Sequence, residues 1–565
     1  MAYLKSFSFA SFFFLLSIQQ SVAKDVSIRV EKKYINLPVS NTVQRAKMIF
    51  EVDGKQERSF LIRLATVKPD YWVFCDVSYL KGKTIKISYE GSDSGMSKIY
   101  QDDVITGNES LYKEKYRPQY HYTVKRGWQN DPNGLVYFGG EYHLFYQFNP
   151  YETRSENMHW GHAVSTDLVH WQELAPALYP FELGAIFSGS SVIDYNNTAG
   201  FNKGNEPAMI AAFTTEQYGR EKQSIAYSND KGRNWTMYKN NPVLETKSRW
   251  HTMDTRDPKV FWYEPNKNWV MALFELNGIS IYTSNNLKKW NFESHITMFC
   301  ECPELFELAV DGNPNNKKWV IYGGSGTYMT GKFDGHKFTP EAGKYFYRRG
   351  TSFAAQTFNN IPASDGRRIE MAWGRISTPS MPFNQMMLLP TELTLKTTKD
   401  GIRLCSNPVK ELDQLHQSED VWHNIAGVQA NEYLKQFKNL DCIRIKTTFR
   451  YWDSRGSGLS LDGQRILEYD TNHNLVNGVF YSPDDMTSME LTADIFIDKT
   501  SIEVFIDDGR YSYTIPRMNG NFEPANRYAY WTPALDRSNK EEGLRFWGDN
   551  IQILDLKVNT MKSIW

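Results

Sequence analysis

Short segments in which apolar and polar residues alternate recur along the chain. Alternation with a period of two is typical of β-strands that bury one face and expose the other. The first group of such segments occupies residues 26–30, 46–50, 60–64 and 84–89. This pattern predicts a small antiparallel β domain over residues 24–115, and no carboxylate cluster within it points to chemistry.

A turn sequence is repeated in the next part of the chain. A Ser-x-Asp or Ser-x-Asn turn leads to a tryptophan in three copies, which end at Trp171, Trp235 and Trp290. Each copy follows an apolar, strand-like run, and the copies recur about every 55 to 65 residues, a spacing typical of radially repeated sheets. We therefore predict that residues 116–398 form the blades of a β-propeller.

The spacing of the alternating segments changes after Gly401. Further strands are indicated at residues 443–449, 495–497, 502–506, 544–547 and 551–558. Their short lengths and intervening turns predict a β-sandwich over residues 399–565. The predicted fold class is therefore all-β, with a small N-terminal β domain, a propeller and a C-terminal sandwich.

The first residues of the chain have the pattern of a secretory leader. Lys5 precedes the apolar run Ala10–Ile18, and Ser21-Val22-Ala23 provides small residues at a cleavage site. The apolar run is too short to span a bilayer, and no later segment is long and apolar enough to do so. We expect residues 1–23 to be a signal peptide and the mature protein to be exported, periplasmic or secreted, without membrane insertion.

Composition and charge narrow the classes of partner. Hydrophobic residues make up 41% of the 565 positions, enough for packed cores, and the net charge is −1. No basic surface is indicated, so we do not expect nucleic acid as a partner. Five cysteines at irregular spacings do not form a disulfide framework, and Cys300 and Cys302 lack a second Cys/His cluster. We expect neither metal nor cofactor, and nothing in the sequence predicts the oligomeric state.

Three carboxylates stand in tight, polar segments that contain proline. Asp131 lies in Asn-Asp-Pro-Asn-Gly, Asp257 in Arg-Asp-Pro, and Glu301 in Cys-Glu-Cys-Pro. Taken singly, they have ordinary structural interpretations: a tight turn, an ion pair and a solvated carboxylate. In a propeller, however, the innermost strands of different blades end at one central channel, so these three side chains can meet there.

The order of these three segments resembles glycoside hydrolase family 32, which includes invertases, levanases and inulinases. The resemblance also covers the segments around Gln147, Trp160, Ser190 and Trp373. It implies a five-bladed β-propeller followed by a β-sandwich. It also implies a retaining O-glycosyl hydrolase that cleaves β-fructosidic bonds of levan or inulin, with sucrose as a further candidate substrate, through a covalent fructosyl-enzyme.

The family pattern also implies a role for each candidate residue. A retaining enzyme needs a nucleophile and an acid/base about 5–5.5 Å apart, and the pattern gives these roles to Asp131 and Glu301. Asp257 would hold fructose hydroxyls. Arg256 is a further candidate substrate-binding residue, because its planar guanidinium can bond carboxylates and sugar hydroxyls, and we expect it to keep Asp131 or Asp257 ionised. The terminal-fructose pocket would be lined by Asn130, Gln147, Trp160, Ser190 and Trp373.

Several positions depart from the family pattern and leave alternatives open. Ser155 and Cys300 stand where aromatic residues are usual, and the segment ending in Ala354 lacks two acids and a tyrosine. Lost stacking surface affects substrate preference, rate and the choice between terminal and internal cleavage. Two alternatives are a fructosyltransferase with the same residues and a fructan-binding protein with weakened catalysis. Both β-2,6 and β-2,1 linkages remain open.

Overall fold

The structure is a computed structural model that describes residues 25–246, 254–451, 456–480, 489–517 and 542–565. Strands dominate these residues, and one α-helix, α1 (Gly427–Leu434), lies among them. The prediction of an all-β protein is confirmed. The predicted signal peptide lies outside the described residues. Within the described ranges, no helix combines the length and the apolar character needed to cross a membrane.

The chain divides into two compact units. The first comprises the described residues up to Asp70 together with Cys75–Val104, and the second comprises Tyr71–Phe74 and Ile105–Trp565. The strands of the N-terminal part are β1 (Val26–Arg29), β2 (Tyr34–Val39), β3 (Ala46–Val52), β4 (Lys55–Ile62), β5 (Tyr71–Asp76), β6 (Thr84–Tyr89) and β7 (Tyr100–Asp102). Short 3₁₀ helices occupy Ser78–Leu80, Asp93–Lys98 and Asn108–Ser110.

The predicted alternation holds in the first unit. Four strands form an antiparallel sheet in the order β1-β6-β3-β4. In β6 the buried positions are Ile85, Ile87 and Tyr89, with more exposed residues between them. This burial of one face is what a period of two produces in a half-buried sheet.

Four groups of four antiparallel strands follow in the second unit. They are β8 (Gly127–Phe138), β9 (Glu141–Asn149), β10 (His159–Ser165) and β11 (Gln172–Glu173); β12 (Ala185–Asp194), β13 (Ala208–Gln217), β14 (Arg220–Ser228) and β15 (Thr236–Met237); β16 (Thr255–Tyr263), β17 (Asn268–Glu275), β18 (Gly278–Ser284) and β19 (Asn291–Thr297); and β20 (Glu304–Val310), β21 (Asn313–Gly323), β22 (Thr327–Phe333) and β23 (Phe338–Phe346). A 3₁₀ turn at Glu264–Asn266 joins β16 to β17.

The repeated turn sequence occupies the same place in three of these groups. Each copy follows the third strand, and its tryptophan donates a hydrogen bond from Nε1 to a backbone carbonyl three residues earlier. The distances are 3.0 Å for Trp171, 3.0 Å for Trp235 and 3.2 Å for Trp290. The sequence repeat therefore reflects a repeated structural unit.

A fifth antiparallel group completes this part of the unit. It contains β25 (Ser352–Thr357), β26 (Arg368–Gly374), β28 (Met386–Met387), β29 (Thr391–Thr398) and β30 (Gly401–Pro408), while β27 (Phe383–Asn384) pairs with β8. β30 pairs with β29 along its whole length, and therefore extends beyond the predicted domain boundary at 398. The fourth and fifth groups are joined into one nine-stranded sheet by a parallel pairing of Val310 in β20 with Leu395 in β29. Closure of the five groups into a five-bladed ring stays a prediction.

Two sheets that share one core follow towards the C-terminus. The larger contains β24 (Arg348–Gly350), β31 (His416–Ala426), β32 (Cys442–Arg450), β37 (Glu490–Asp498), β38 (Ser501–Ile506), β39 (Tyr511–Pro516) and β41 (Gln552–Met561), and the smaller contains β33 (Ser457–Leu461), β34 (Gln464–Asp470), β35 (Leu475–Val476), β36 (Val479–Phe480) and β40 (Leu544–Trp547). A 3₁₀ helix at Lys410–Leu415 precedes them. Ile445 and Ile495 of one sheet and Leu459 and Phe546 of the other belong to one buried cluster, as in a β-sandwich.

Candidate active site

Three strands that begin successive groups are irregular near their N-terminal ends. The pairing register shifts between Gln129 and Pro132 in β8, between Ile186 and Gly189 in β12, and between Arg256 and Lys259 in β16. Such bulges redirect side chains and are common beside active sites. In this structure the bulges contain Asp131, Ser188 and Asp257.

Asp131 lies within β8. Pro132 pairs with Tyr146 of β9, so the Asn-Asp-Pro-Asn-Gly segment is a bulged strand and not a simple tight turn. The Ser188 hydroxyl donates a hydrogen bond of 2.7 Å to Asp131 Oδ2. The bulge in β12 thus orients the carboxylate of Asp131.

Asp257 and Cys302 lie in contact beside Asp131. Asp257 has a φ of 63° in the bulge of β16, and its side chain is buried. Its Oδ2 accepts a 3.0 Å hydrogen bond from the Cys302 backbone N–H and lies 3.4 Å from Cys302 Sγ. The same sulfur lies 3.9 Å from Asp131 Oδ2, so one thiol contacts both aspartates.

Glu301 stands in the bend that precedes β20 and is held by Arg256. Arg256 Nη1 donates a 2.9 Å hydrogen bond to Glu301 Oε2, while its Nε donates one of the same length to Glu221. Glu301 keeps about a third of its side chain exposed, in contrast to the buried Asp257. A partly exposed carboxyl held by an arginine can exchange protons with substrate and water.

Electrostatics distinguishes the two aspartates. Burial raises the pKa of Asp131 to about 6; the hydrogen bond from Ser188 opposes this rise, and the charge of Glu301 adds to it. Burial, together with the charges of Glu301 and Asp131, holds the pKa of Asp257 well above its usual range, although Arg256 lowers it. With a pKa of about 6, Asp131 is mostly ionised at neutral pH, and the pKa of Asp257 is shifted in the same direction by burial.

Arg256 bonds directly to two glutamates. Its guanidinium donates hydrogen bonds to Glu301 and Glu221. Burial raises the pKa of Asp257, and the nearby charge of Arg256 lowers it. The expectation that Arg256 keeps Asp131 or Asp257 ionised stays a prediction.

Three of the predicted pocket residues are buried and hydrogen-bonded to backbone. Gln147 Nε2 donates to the Ile186 carbonyl at 3.0 Å, and Trp160 Nε1 donates to the Phe187 carbonyl at 2.9 Å. Ser190 Oγ donates to the Pro258 carbonyl at 2.7 Å and accepts a bond from the Val260 N–H at 2.8 Å. These bonds hold the bulges of β12 and β16, so the three side chains fix the positions of Ser188 and Asp257.

The other two predicted pocket residues lie at the solvent side of the site. Asn130 accepts a 2.9 Å hydrogen bond from Trp128 Nε1. Trp373 Nε1 donates to Gln385 at 3.1 Å, and the Trp373 ring meets the Trp128 ring edge to face with centroids 6.2 Å apart. A cavity of about 630 Å³ opens at this point, and its lining includes Trp128, Cys300, Glu301, Arg349, Phe353, Trp373 and Arg375.

A comparison with protein families identifies the family of this chain. The model described as the N-terminal domain of glycosyl hydrolases family 32 matches residues 121–408, about half of the chain. The chain belongs to glycoside hydrolase family 32. The matched range holds all three candidate carboxylates and ends where β30 ends.

Relatives of known name support the same membership in glycoside hydrolase family 32. A levanase from Bacillus subtilis is 37% identical over 515 residues, which cover 81% of this chain and 72% of the levanase. An extracellular exo-inulinase from Aspergillus niger is 31% identical over 71% of this chain and 89% of its own length. Among solved structures, an exo-inulinase from Aspergillus awamori superposes with a TM-score of 0.67 at 26% identity, covering 80% of this chain and all of that one.

The departures from the family 32 pattern have visible structural counterparts. Ser155 is exposed, and Cys300 lines the cavity beside Glu301, where its sulfur accepts a 3.2 Å hydrogen bond from the Ser325 N–H. Ala354 is buried with a φ of 51°, and its methyl side chain has no hydrogen-bonding group. The cavity that Glu301 lines therefore has a thiol, Cys300, where an aromatic residue is usual, and Arg348 and Ser352 where the family pattern has acids.

Sequence reasoning missed two residues at the centre of this family 32 site. It selected Ser190, but the bulge in β12 brings Ser188 to Asp131. It treated Cys302 only as a weak metal ligand, whereas the thiol lies between the two aspartates. The position of Cys302 directly after Glu301 was the available signal, whereas choosing between the two serines required the register shift.

Proposed function

We propose that this protein is an exported family 32 hydrolase that cleaves β-fructosidic bonds of fructans, levan or inulin, and also sucrose. The observation that carries the proposal is the meeting of Asp131, Asp257 and Glu301 from two bulged strands and the bend before β20. The names of the relatives, a levanase and an extracellular exo-inulinase, support the substrate class and the export.

The first chemical step assigns Asp131 and Glu301 opposite protonation states. Asp131, oriented by Ser188, attacks C2 of the fructosyl residue and forms a covalent ester. Glu301 gives its proton to the departing oxygen. Because Arg256 occupies Oε2 of Glu301, the oxygen that delivers the proton is Oε1.

The second step reverses the proton transfer. Glu301, now a carboxylate, takes a proton from water, and the resulting hydroxide attacks C2 and breaks the ester to Asp131. Two displacements at C2 retain its configuration. Arg256 stabilises Glu301 in the charged state that this step requires.

Asp257 acts on the fructose itself. Its buried carboxyl can form hydrogen bonds to fructose hydroxyls. Cys302 holds one carboxyl oxygen through its N–H, which sets the direction in which the other oxygen points. Such fixed polar groups distinguish fructose from other sugars.

The test compares the purified protein with its Asp131→Asn variant on levan, inulin and sucrose, with products separated by chain length. Free fructose from the first time point, abolished by the substitution, supports a terminal-acting β-fructosidase. A ladder of oligosaccharides supports internal cleavage by the same residues. New, longer oligosaccharides from sucrose would identify a transferase, and binding without turnover on all three substrates would contradict the proposed hydrolysis.

A further inference from the structure

A second cavity is lined in part by β12 and β16, the strands whose bulges contain Ser188 and Asp257. Its volume is about 610 Å³, and its lining includes the later residues of β12 and β16, the first half of β20, residues that follow β25, and the first residue of β26. Phe261 lines it and lies four residues after Asp257, which is about 13 Å along an extended strand. The two cavities share no lining residue.

Two buried polar residues, Lys259 and Asn359, line the second cavity. Lys259 Nζ lies 2.8 Å from Glu304 and donates a hydrogen bond of 2.8 Å to the Thr357 carbonyl. Asn359 donates hydrogen bonds to the carbonyls of Ser191 and Val260. These bonds hold both side chains in fixed positions in the cavity wall.

The walls of this cavity are rich in aromatic side chains. Tyr195 is 60% exposed, and Phe261, Trp262, Tyr263 and Trp319 are half-buried. The Phe261 and Trp319 ring centroids lie 6.0 Å apart, and those of Tyr263 and Trp319 lie 5.9 Å apart. Such a group of partly exposed rings offers the apolar surface on which sugar C–H groups stack.

Most of the charged groups that line this cavity are paired. Glu264 pairs with Lys267, Glu307 with Lys317, and the buried Lys259 with Glu304. Asn360 donates a 3.1 Å hydrogen bond to the Tyr195 hydroxyl, which fixes the most exposed ring. Aromatic walls with a few oriented polar groups and mostly paired charges suit a neutral polyhydroxylated ligand better than an ion.

We infer that this cavity is a second carbohydrate site that holds a distant segment of the same fructan chain. The inference rests on the proposed function, because the polymer that reaches the carboxylates is then also present at this face. A second contact on one polymer raises the effective concentration of chain ends or bonds at the catalytic site without changing the chemistry there.

The test measures binding and turnover separately. In an Asp131→Asn background, migration through native gels that contain levan or inulin reports binding without digestion. Replacing Tyr195 by Ala should weaken the retardation roughly threefold to tenfold, the range that one aromatic contact contributes. Tyr79→Ala provides the matched control, because Tyr79 is similarly exposed (58%) but belongs to the N-terminal unit.

The kinetic arm uses enzyme with Asp131 intact. Tyr195→Ala should raise KM for polymeric fructan by a similar factor and leave kcat/KM for sucrose unchanged, since sucrose is too short to reach both cavities. Trp262→Leu serves as a second variant on the same wall, with intact sucrose turnover as evidence that it folds.

Unchanged retardation in both variants, or equal retardation by starch and xylan, would overturn the inference. A wild-type enzyme that cleaves no fructoside would instead refute the proposed function, while the gel experiment in the Asp131→Asn background would still report on the cavity.

Discussion

Removing the Ser188 hydroxyl should shift the pH dependence of catalysis. The hydroxyl donates a 2.7 Å hydrogen bond to Asp131, and this bond lowers the pKa of a carboxyl that burial raises to about 6. A hydrogen bond to a charged group contributes about 1.5 to 3 kcal/mol, and about 1.4 kcal/mol corresponds to one pH unit. In Ser188→Ala, the pKa of Asp131 should therefore rise by about one to two pH units.

The direction in which the pH profile moves follows from the role of Asp131 as nucleophile. A nucleophile must be ionised, so activity is lost as the pH falls through its pKa. The acid limb of kcat/KM against pH, expected near 6 in the wild type, should move to about 7 to 8 in the variant, with activity recovering at higher pH.

The assay is the initial rate of fructose release from sucrose or a short fructan across a pH series. Ser190→Ala is the matched control, because that hydroxyl bonds to the backbone of Pro258 and Val260. It should lower stability or the overall rate and leave the acid limb in place. An unmoved acid limb in Ser188→Ala would refute the assignment of that limb to Asp131.

Three further predictions concern stability, the arginine and the thiols. The pKa of Asp131 is about 6 in the folded protein and near 3.8 in the unfolded chain, so ionisation of Asp131 destabilises the fold as the pH rises. Asp131→Asn should therefore raise the free energy of unfolding by up to about 3 kcal/mol above pH 6 and leave it unchanged below about pH 4. Denaturant unfolding measures the difference in unfolding free energy between the variant and the wild type, and a difference that does not change with pH would contradict this prediction. Arg256→Lys cannot bond to Glu301 and Glu221 together, so kcat/KM should fall roughly 10- to 100-fold, and an unchanged value would refute its role. Burial raises the pKa of all five thiols, so iodoacetamide at pH 8 should label the native protein far more slowly than the unfolded chain. Mass spectrometry measures the labelling, and rapid labelling of the native protein would contradict this prediction.

Much of the fold could be predicted because its signals are local. Alternating segments identified strands such as β3 and β6, and the Ser-x-Asp turn before each tryptophan identified a repeated unit. The extension of the fifth group to Pro408 could not be predicted in this way. The pairing of β30 with β29 is a contact between strands, and the change in the spacing of apolar segments after Gly401 does not show which neighbour β30 pairs with.

The three carboxylates of the site could be predicted from the sequence, whereas the residues that bond to them were harder to predict. Asp131, Asp257 and Glu301 stand in short motifs that sequence displays directly. The choice of Ser188 over Ser190 depends on a register shift in β12, and the bonds of Arg256 to Glu221 and Glu301 join residues that are far apart in the sequence. Residue types alone reveal neither feature, because both depend on how strands lie against their neighbours.

The most direct test of the mechanism is the capture of the covalent intermediate. β-Fructosyl fluoride has a leaving group that needs no proton, so Glu301→Gln should still allow Asp131 to attack C2. The same substitution removes the base that activates water, and the ester should therefore accumulate. Intact-mass analysis of the quenched variant should show one added fructosyl group, and peptide mapping should place it on Asp131. Fructose release without any adduct, or an adduct on another residue, would contradict Asp131 as the nucleophile.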